Sequence, residues 1–219
     1  MNCVDIFSGC GGLTLGLHKA GIQGIFAIEK SVDAFKTLQH NLIDRLHHFE
    51  WPKWLPKKAH DINKVLDVYQ NELMALRGHV DLLAGGPPCQ GFSMAGKRVE
   101  EDIRNNLVFS YIKFIKLVRP KMILFENVKG FTYAFDKKNK EGAIPYSQKV
   151  IEGLKRLGYN VKPHIIDFSR YGVPQRRNRF ILVGIQKSIG SPDLFESLLE
   201  AGKDVFLQAK GISSSTTVK

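Results

Sequence analysis

The sequence contains few cysteines, and they form none of the patterns in which cysteine binds metal or builds a disulfide framework. Cys3, Cys10 and Cys89 are the only three among 219 residues. They are odd in number, include no CxxC pair and do not cluster with histidine. This arrangement predicts neither a disulfide scaffold nor a zinc site, and we expect no bound metal. It leaves room for a single reactive thiol.

Long hydrophobic runs are also missing. No apolar stretch approaches the ~20 residues that a membrane-spanning helix needs. The N-terminus lacks the basic segment followed by an apolar one that marks a signal peptide. We therefore expect an intracellular protein that does not contact a membrane.

Acidic residues are scarce relative to basic ones. Lysine and arginine number 32 against 21 aspartates and glutamates, which gives a formal net charge of +11. A basic excess of this size favours a polyanionic partner such as nucleic acid. A basic surface that serves only solubility would give the same composition, so charge by itself does not decide between the two.

Apolar runs bounded by turn residues alternate with segments of helical periodicity. Strands are predicted at residues 2–9, 24–30, 80–86, 122–128, 160–168 and 179–185, with a short seventh at 57–62; helices are predicted at 13–20, 31–42, 62–76, 107–118 and 147–158. Ser31 and Asn63 are predicted as helix N-caps. The alternation predicts a doubly wound α/β fold with a mostly parallel, seven-stranded sheet. The last two strands are not separated by a helix, which predicts an antiparallel edge strand.

A glycine-rich turn follows the first predicted strand in "DIFSGCGGLTLG", residues 5–16. Glycines at such a turn let a ligand approach backbone amides at a helix N-terminus. Thr14 stands where the GxGxxG dinucleotide pattern needs glycine, so a dehydrogenase-type site is not predicted. Glu29 ends the next strand, 20 residues after Gly9, where a carboxylate can accept hydrogen bonds from ribose hydroxyls. The pattern indicates an adenosine-type site, the alternative being a tight turn and a surface glutamate.

"GGPPCQGFS", residues 85–93, places a cysteine directly behind two prolines. Pro87 and Pro88 restrict the backbone, so the side chain of Cys89 is held in a defined direction. The position follows a strand, at the edge where open parallel sheets bind ligands. A buried, inert cysteine is the alternative. The polar stretch 89–106 is longer than most strand-to-helix connections, which is typical of a lid or a binding loop.

Two further motifs place charged residues beside predicted strands. "ENV", residues 126–128, puts Glu126 at the end of an apolar run, as a protonatable group or as a capping or salt-bridging carboxylate. "QRRNR", residues 175–179, sets Arg177 and Arg179 two apart at the start of a strand, which predicts that both point to one face. They are candidates for gripping an anion or a carbonyl-bearing group, or for a solvated basic edge.

The segments "DIFSGCGG", "AIEK", "GGPPCQGFS", "ENVKGF" and "QRRNRF" together resemble the DNA (cytosine-5) methyltransferase family, in its order and at roughly its spacing, over about residues 3–185. The resemblance implies an S-adenosylmethionine-dependent methyltransferase fold, S-adenosylmethionine as cofactor, duplex DNA as substrate and a cytoplasmic protein of prokaryotic or viral origin. Residues 1–185 are then expected to form the cofactor-binding and catalytic domain, and residues 186–219 a tail that leads towards a target-recognition domain. That domain and the family's last two motifs are not found in this sequence. We therefore expect the catalytic subunit of a naturally split enzyme or a truncated fragment of an enzyme, which in either case acts with a second polypeptide.

The resemblance also implies roles for individual residues. Cys89 would be the nucleophile that adds to cytosine carbon 6, Glu126 would act at N3 and Arg179 at O2, with Arg177 in support. The implied cofactor contacts are Phe7, Gly9, Gly11, Gly12, Leu13, Glu29, Asp61, Ile62, Pro88 and Leu107. The implied nucleic-acid contacts are Gln90, Ser93, Lys97 and Arg98, with Arg104 nearby. Lys30 and Ala95 depart from residues that are frequent in the family. Methylation of transfer RNA, or a remnant that binds cofactor or nucleic acid without turnover, remain open alternatives.

Overall fold

The computed structural model describes residues 1–88, 107–133 and 144–212. These residues divide into two compact units. The first holds residues 1–88 and 107–125, and the second holds 126–133 and 144–212. Within the described residues, no helix combines the length and the apolar character that a bilayer crossing requires.

The first unit contains four strands and five α-helices. The elements are β1 (Asn2–Ile6), α1 (Gly12–Lys19), β2 (Gln23–Ile28), α2 (Val32–Leu38), a π-helical stretch (Gln39–Arg45), α3 (Ile62–Val68), α4 (Gln70–Ala75), β3 (Leu82–Gly85), α5 (Leu107–Val118) and β4 (Met122–Val128). The last three residues of β4 belong to the second unit. That unit continues with a 3-10 turn (Lys129–Thr132), α6 (Tyr146–Arg156), β5 (Tyr159–Asp167), a second 3-10 turn (Phe168–Tyr171), β6 (Asn178–Gln186) and α7 (Asp193–Ala209).

The strands form a sheet in the order β2-β1-β3-β4-β6-β5. β1 pairs in parallel with β2 and with β3, and β3 pairs in parallel with β4. β5 and β6 are antiparallel over nine residue pairs, from Tyr159–Gln186 to Asp167–Asn178. The predicted α/β class, the mostly parallel sheet and the antiparallel edge are confirmed. The strand count was wrong by one, because the described residues form six strands.

The missing seventh strand is the stretch predicted at 57–62, which is irregular instead. Its last residues begin a helix: Asp61 is the N-cap of α3, and its Oδ1 accepts a hydrogen bond of 2.9 Å from the backbone N–H of Asn63. A short carboxylate at such a position satisfies an amide that the helix cannot pair internally. The predicted cap at Asn63 was therefore wrong by two residues, whereas Ser31 caps α2 as predicted.

Helices cover both faces of the sheet in the first unit. On one face, Cys3 and Ala84 pack with Leu17 of α1 in a buried apolar cluster. On the other face, the Tyr111 ring of α5 packs edge-to-face on Phe125 with centroids 5.1 Å apart. A Cβ on Gly85 would lie 2.6 Å from the Ile6 carbonyl and 2.9 Å from Tyr111, so only glycine fits where β3 ends. This close approach fixes the point at which the chain leaves the sheet towards Pro88.

The second unit packs around the antiparallel pair β5 and β6. Its buried side chains include Val150 and Leu154 of α6, Tyr159 of β5 and Leu182 of β6. Phe131 packs against Phe180, with ring centroids 5.6 Å apart. This packing fixes the start of β6, where Arg179 lies.

Candidate cofactor site and active-site residues

A cavity of about 120 Å³ lies in the first unit, where β1, β2 and β3 end. It is lined by Phe7, Ile28, Glu29, Lys30, His60, Asp61, Ile62, Gly86, Pro88 and Leu107. Six of these were predicted as cofactor contacts from the sequence: Phe7, Glu29, Asp61, Ile62, Pro88 and Leu107. The carboxyl ends of parallel strands meet at one edge of a sheet, which is why residues so far apart in sequence converge there.

Glu29 is held in place by two backbone amides. Its Oε2 accepts a hydrogen bond of 2.8 Å from Gly9, and its Oε1 accepts one of 2.7 Å from Ser31. A carboxylate has about four acceptor sites on its two oxygens. Each oxygen of Glu29 therefore keeps capacity for a further donor, as a ligand with two neighbouring hydroxyls would require.

Lys30 and Asp61, which both line the cavity, form an ion pair. The Nζ of Lys30 lies 2.8 Å from Oδ2 of Asp61, with the lysine side chain 77% exposed and the aspartate 22%. The hydrogen bond from Lys30 is the main reason that the pKa of Asp61 is lowered from its ordinary value. The backbone N–H of His60 also donates to the Glu29 carbonyl at 2.7 Å. The end of β2 and the start of α3 are thus joined beside the cavity by an ion pair and a backbone hydrogen bond.

The glycine turn presents its backbone in unusual conformations. Phe7, Gly9 and Gly11 have φ angles of 61°, 56° and 91°. A positive φ is ordinary for glycine but strains phenylalanine, and such strain is concentrated at functional sites. Gly11 is the N-cap residue of α1, and a Cβ there would collide with Leu42. The turn therefore directs Phe7 into the cavity lining by means of a backbone that few sequences tolerate.

Four predicted cofactor contacts do not line this cavity: Gly9, Gly11, Gly12 and Leu13. Leu13 packs against the apolar cluster under α1. Conversely, the cavity includes Ile28, His60 and Gly86, for which no role was predicted. Each of them precedes a predicted residue or the motif prolines by one position. That adjacency is the signal by which they could have been found.

The residues fit an adenosine-type cofactor. Phe7, Ile28, Ile62, Pro88 and Leu107 provide apolar walls suited to a planar base. Glu29 is an anchored carboxylate with acceptor capacity suited to ribose hydroxyls, and Asp61 is a second carboxylate in the lining. S-adenosylmethionine carries both a planar base and a ribose.

In the second unit, Glu126 and Arg179 form an ion pair. The Nε of Arg179 lies 2.7 Å from Oε1 of Glu126, with side chains 16% and 35% exposed respectively. The guanidinium and carboxylate groups are close enough for an ion pair, but they are not aligned for a hydrogen bond. The Nε of Arg179 therefore has no hydrogen-bond partner among the described residues. Nη1 of the same guanidinium donates to the Asn178 carbonyl at 3.0 Å. The pair thus joins the end of β4 to the start of β6.

Arg177 does not share this position. β6 begins at Asn178, so Arg177 lies before the strand and is exposed, while its carbonyl accepts a hydrogen bond from the Phe168 N–H at 3.0 Å. That the two arginines share a face stays a prediction. The remaining predicted residues, Cys89, Gln90, Ser93, Lys97, Arg98 and Arg104, lie outside the described residues.

Comparison with known proteins extends this picture to the whole sequence. The sequence model of a family described as C-5 cytosine-specific DNA methylase matches residues 1–213. The chain belongs to this family. S-adenosylmethionine is the methyl donor that membership implies, in agreement with the cavity in the first unit.

Relatives include named type II methyltransferases. M.XorII from Xanthomonas oryzae pv. oryzae is 35% identical over 195 residues, and M.PspPI from a Psychrobacter species is 36% identical over 198 residues. These matches cover 86% and 89% of the chain but 41% of each relative. The chain therefore spans less than half the length of these curated relatives.

Solved structures agree on the fold. A structure described as a DNA modification methyltransferase encoded within an Escherichia coli prophage superposes with a TM-score of 0.62 at 27% identity, covering 86% of this chain and 47% of the other. DNMT2 from Spodoptera frugiperda superposes with a TM-score of 0.58 at 22% identity, covering 86% of this chain and 50% of the other. At 22% sequence identity, the likeness to DNMT2 concerns the fold alone.

Proposed function

We propose that the chain is the catalytic part of a DNA methyltransferase that methylates carbon 5 of cytosine in duplex DNA, and that it acts with a second polypeptide for target recognition. The observation that carries the proposal is the Glu126–Arg179 ion pair at 2.7 Å. N3 and O2 of cytosine are bonded to the same ring carbon. A carboxyl and a guanidinium group that already touch therefore suit this edge of the base.

The chemistry calls for a nucleophile because carbon 5 of cytosine reacts poorly with electrophiles. In the proposed reaction, the Cys89 thiolate forms a bond to carbon 6, and the displaced electron pair moves through the ring to N3. Carbon 5 then belongs to an enamine, which is electron-rich. S-adenosylmethionine, when bound, supplies an electrophilic methyl group. Carbon 5 then loses its proton to water, the thiolate leaves carbon 6, and N3 returns its proton to the Glu126 carboxylate, which restores the aromatic ring.

Glu126 and Arg179 would stabilise the charge that this addition places in the ring. Glu126 as a carboxylic acid would give its proton to N3, and Arg179 would donate a hydrogen bond to O2. The two groups lie in contact, so both can reach adjacent atoms on one edge of the base.

The substrate base has to leave the duplex, because carbon 6 cannot be attacked within a base stack. Gln90, Ser93, Lys97 and Arg98 are proposed to contact the DNA around the extruded base. The net charge of +11 supports a polyanionic partner. The cavity residues around Glu29 and Asp61 are proposed to hold the cofactor.

The proposal is tested with a mechanism-based trap. Duplex oligonucleotides containing 5-fluorocytosine are incubated with S-adenosylmethionine, the full chain and a second polypeptide that carries a target-recognition domain of the family. Fluorine at carbon 5 cannot leave as a proton does, so the adduct persists and migrates as a covalent complex on denaturing gels. The Cys89→Ser variant is expected to form no complex, and the Cys10→Ser variant, altered at an exposed cysteine, is expected to form it normally. A complex with Cys89→Ser would overturn the mechanism.

The same reagents separate the alternatives. Methyl incorporation into duplex DNA is compared with incorporation into transfer RNA, and the second substrate class is adopted if RNA alone is methylated. Full activity of the chain without a second polypeptide would overturn the partner requirement. Cofactor binding by calorimetry without methyl transfer under any of these conditions would identify a non-catalytic binding protein.

A further inference from the structure

A buried carboxyl group lies in the central strand beneath the glycine turn. Asp5 of β1 is 0% exposed, and in register it pairs with Ala27 of β2 and Ala84 of β3. The hydroxyl oxygen of Thr14, which is also 0% exposed, lies 2.5 Å from its Oδ2. Its Oδ1 has no hydrogen-bond partner among the described residues. A buried oxygen without a partner is rare enough to require a physical explanation.

The surroundings of Asp5 do not favour a charge. Cys3, two residues away on the same side of β1, belongs to the apolar cluster with Leu17 and Ala84. No ion pair of Asp5 is found in the described part of the chain. Burying an ionised carboxylate without a cation costs several kcal/mol. An uncharged carboxyl avoids most of this cost, because the oxygen that it leaves unpaired carries no negative charge.

Few ionisable groups surround Asp5. Its own strand contributes Cys3, whose pKa burial raises to about 12. β2 is followed by Glu29, and α1 carries His18 and Lys19 in its last turn. β3 contributes no ionisable side chain. Burial, and secondarily the negative charge of Glu29, raise the pKa of Asp5 to about 7, although the hydrogen bond with Thr14 works in the opposite direction. Both forms of Asp5 are therefore populated near neutral pH.

The hydrogen bond between Thr14 and Asp5 connects the two ends of the glycine turn. Asp5 precedes the turn and Thr14 lies in the first turn of α1, so the bond links the two ends of the segment that carries Phe7, Gly9 and Gly11. From the other side the turn is anchored by the bond from Gly9 to Glu29. A change at Asp5 is thus transmitted to a segment whose backbone is already strained at Phe7, which lines the cavity.

We propose that Asp5 is a positioning residue for the cofactor, and that its uncharged carboxyl, acting through Thr14, holds the glycine turn in the conformation that binds S-adenosylmethionine. The Thr14 hydroxyl donates to Oδ2 of Asp5, and this bond ties the start of α1 to β1. Loss of the proton leaves an anion in an apolar layer, which is relieved only by drawing amides or water towards it, and the turn is distorted. The inference rests on the cofactor site proposed above and adds a residue that does not touch the cofactor.

Cofactor affinity should therefore weaken as the pH rises through about 7, by several-fold up to about tenfold. The dissociation constant of S-adenosylmethionine is measured by calorimetry on the full chain between pH 5.5 and 8.5. Asp5→Asn, which keeps the shape and cannot ionise, should bind with no step in this range. Thr14→Val should bind weakly at every pH, and Thr14→Ser, which restores the hydroxyl, should recover the wild-type profile. Asp67→Asn makes the same chemical change at a carboxylate whose side chain is 69% exposed, and should keep the step.

Titration of the Asp5 carboxyl carbon by NMR, without cofactor, separates failure of this inference from failure of the cofactor site. A midpoint near pH 7 that moves upward when S-adenosylmethionine binds supports the proposal. A wild-type protein that binds the cofactor with a flat profile, or an Asp5→Asn variant that keeps the step, overturns it. Absence of binding at every pH, with normal titration of Asp5, instead overturns the proposed cofactor site.

Discussion

Gly9 and Glu29 are joined by a hydrogen bond of 2.8 Å from the glycine N–H to Oε2 of the carboxylate, across twenty residues of sequence. The same carboxylate receives the Ser31 N–H on its other oxygen. Glu29 therefore has a structural function before any ligand arrives, because it fixes the glycine turn of β1 to the end of β2. Its proposed contact with ribose would use acceptor capacity that remains.

Replacing Glu29 should affect the cofactor site through both functions. Glu29→Ala is expected to weaken S-adenosylmethionine binding by tenfold or more, since it removes the proposed ribose acceptor and leaves two amides without their partner. Glu29→Gln keeps one acceptor oxygen and should lose less. Calorimetry on both variants measures this, with Glu50→Ala as an exposed control of the same charge change. Equal affinities for Glu29→Ala and the control would show that the cavity does not bind the ribose.

The Lys30–Asp61 ion pair should matter more for the cavity than for the stability of the fold, because exposed pairs contribute little. In Lys30→Met, the pKa of Asp61 should rise towards its ordinary value, as the main cause of its lowering is removed. A carboxylate whose pKa is lowered by folding stabilises the folded state at pH values above its ordinary pKa, near 3.8. This contribution is lost as the pH falls through the pKa of the folded state. The two proteins should thus differ slightly in stability at neutral pH and converge at acid pH.

Carbon-detected NMR of Asp61 follows this titration directly. Lys113→Met, which removes an exposed pair with Asp67 away from the cavity, serves as the control. An unchanged Asp61 titration in Lys30→Met would mean that the ion pair does not persist in solution.

Glu126 and Arg179 should act as a unit in catalysis. Glu126→Gln and Arg179→Lys are each expected to reduce single-turnover methyl transfer by about 10²-fold or more, since the first loses the proposed proton donor and the second the two parallel N–H donors of the guanidinium group. The double variant should lose much less than the product of the two effects, because each partner positions the other. Arg176→Lys, an exposed neighbour, should retain the wild-type rate. Strictly multiplicative losses would argue for independent roles.

Asp5 makes stability depend on pH in an unusual direction. A carboxyl whose folded pKa is about 7 instead of 3.8 stabilises the folded state in acid, and this contribution is lost between about pH 4 and 7. The loss amounts to at most about 4 kcal/mol. Urea unfolding should show that the wild type loses unfolding free energy relative to Asp5→Asn as the pH rises over this interval, because the variant cannot ionise. A constant difference would show that Asp5 is not neutral in the folded protein.

Patterns along the chain predicted the edge of the sheet where the parallel strands end, and they predicted much of the cavity lining. Apolar runs ended by glycine or a charged residue marked where β1, β2 and β3 stop, and parallel strands bring those ends together. Local signals were less reliable at element boundaries. The helix predicted at 62–76 breaks at Tyr69, whose φ and ψ of −111° and 31° interrupt it, and the helix predicted at 31–42 continues as a π-helical stretch to Arg45.

Pairings between distant residues could not be predicted. The contact of Lys30 with Asp61 depends on how the start of α3 packs beside β2, and that of Glu126 with Arg179 on the approach of β4 and β6. Asp5 was not identified as unusual, since an aspartate near a strand end is ordinarily exposed. Its complete burial follows from the way α1 covers that face of the sheet.

The outermost strands of the sheet are poor templates for other chains. Pro163 lies within β5, paired with Leu182, so that strand lacks one backbone donor. At the opposite margin, Phe49 forms a parallel bridge to Gly24 of β2, and the Gly24 amide and carbonyl are both engaged by residues 48 and 50. Strand-to-strand addition, a frequent start of aggregation, is hindered at both margins. This should help the polypeptide to stay dispersed at the concentrations that calorimetry and NMR demand.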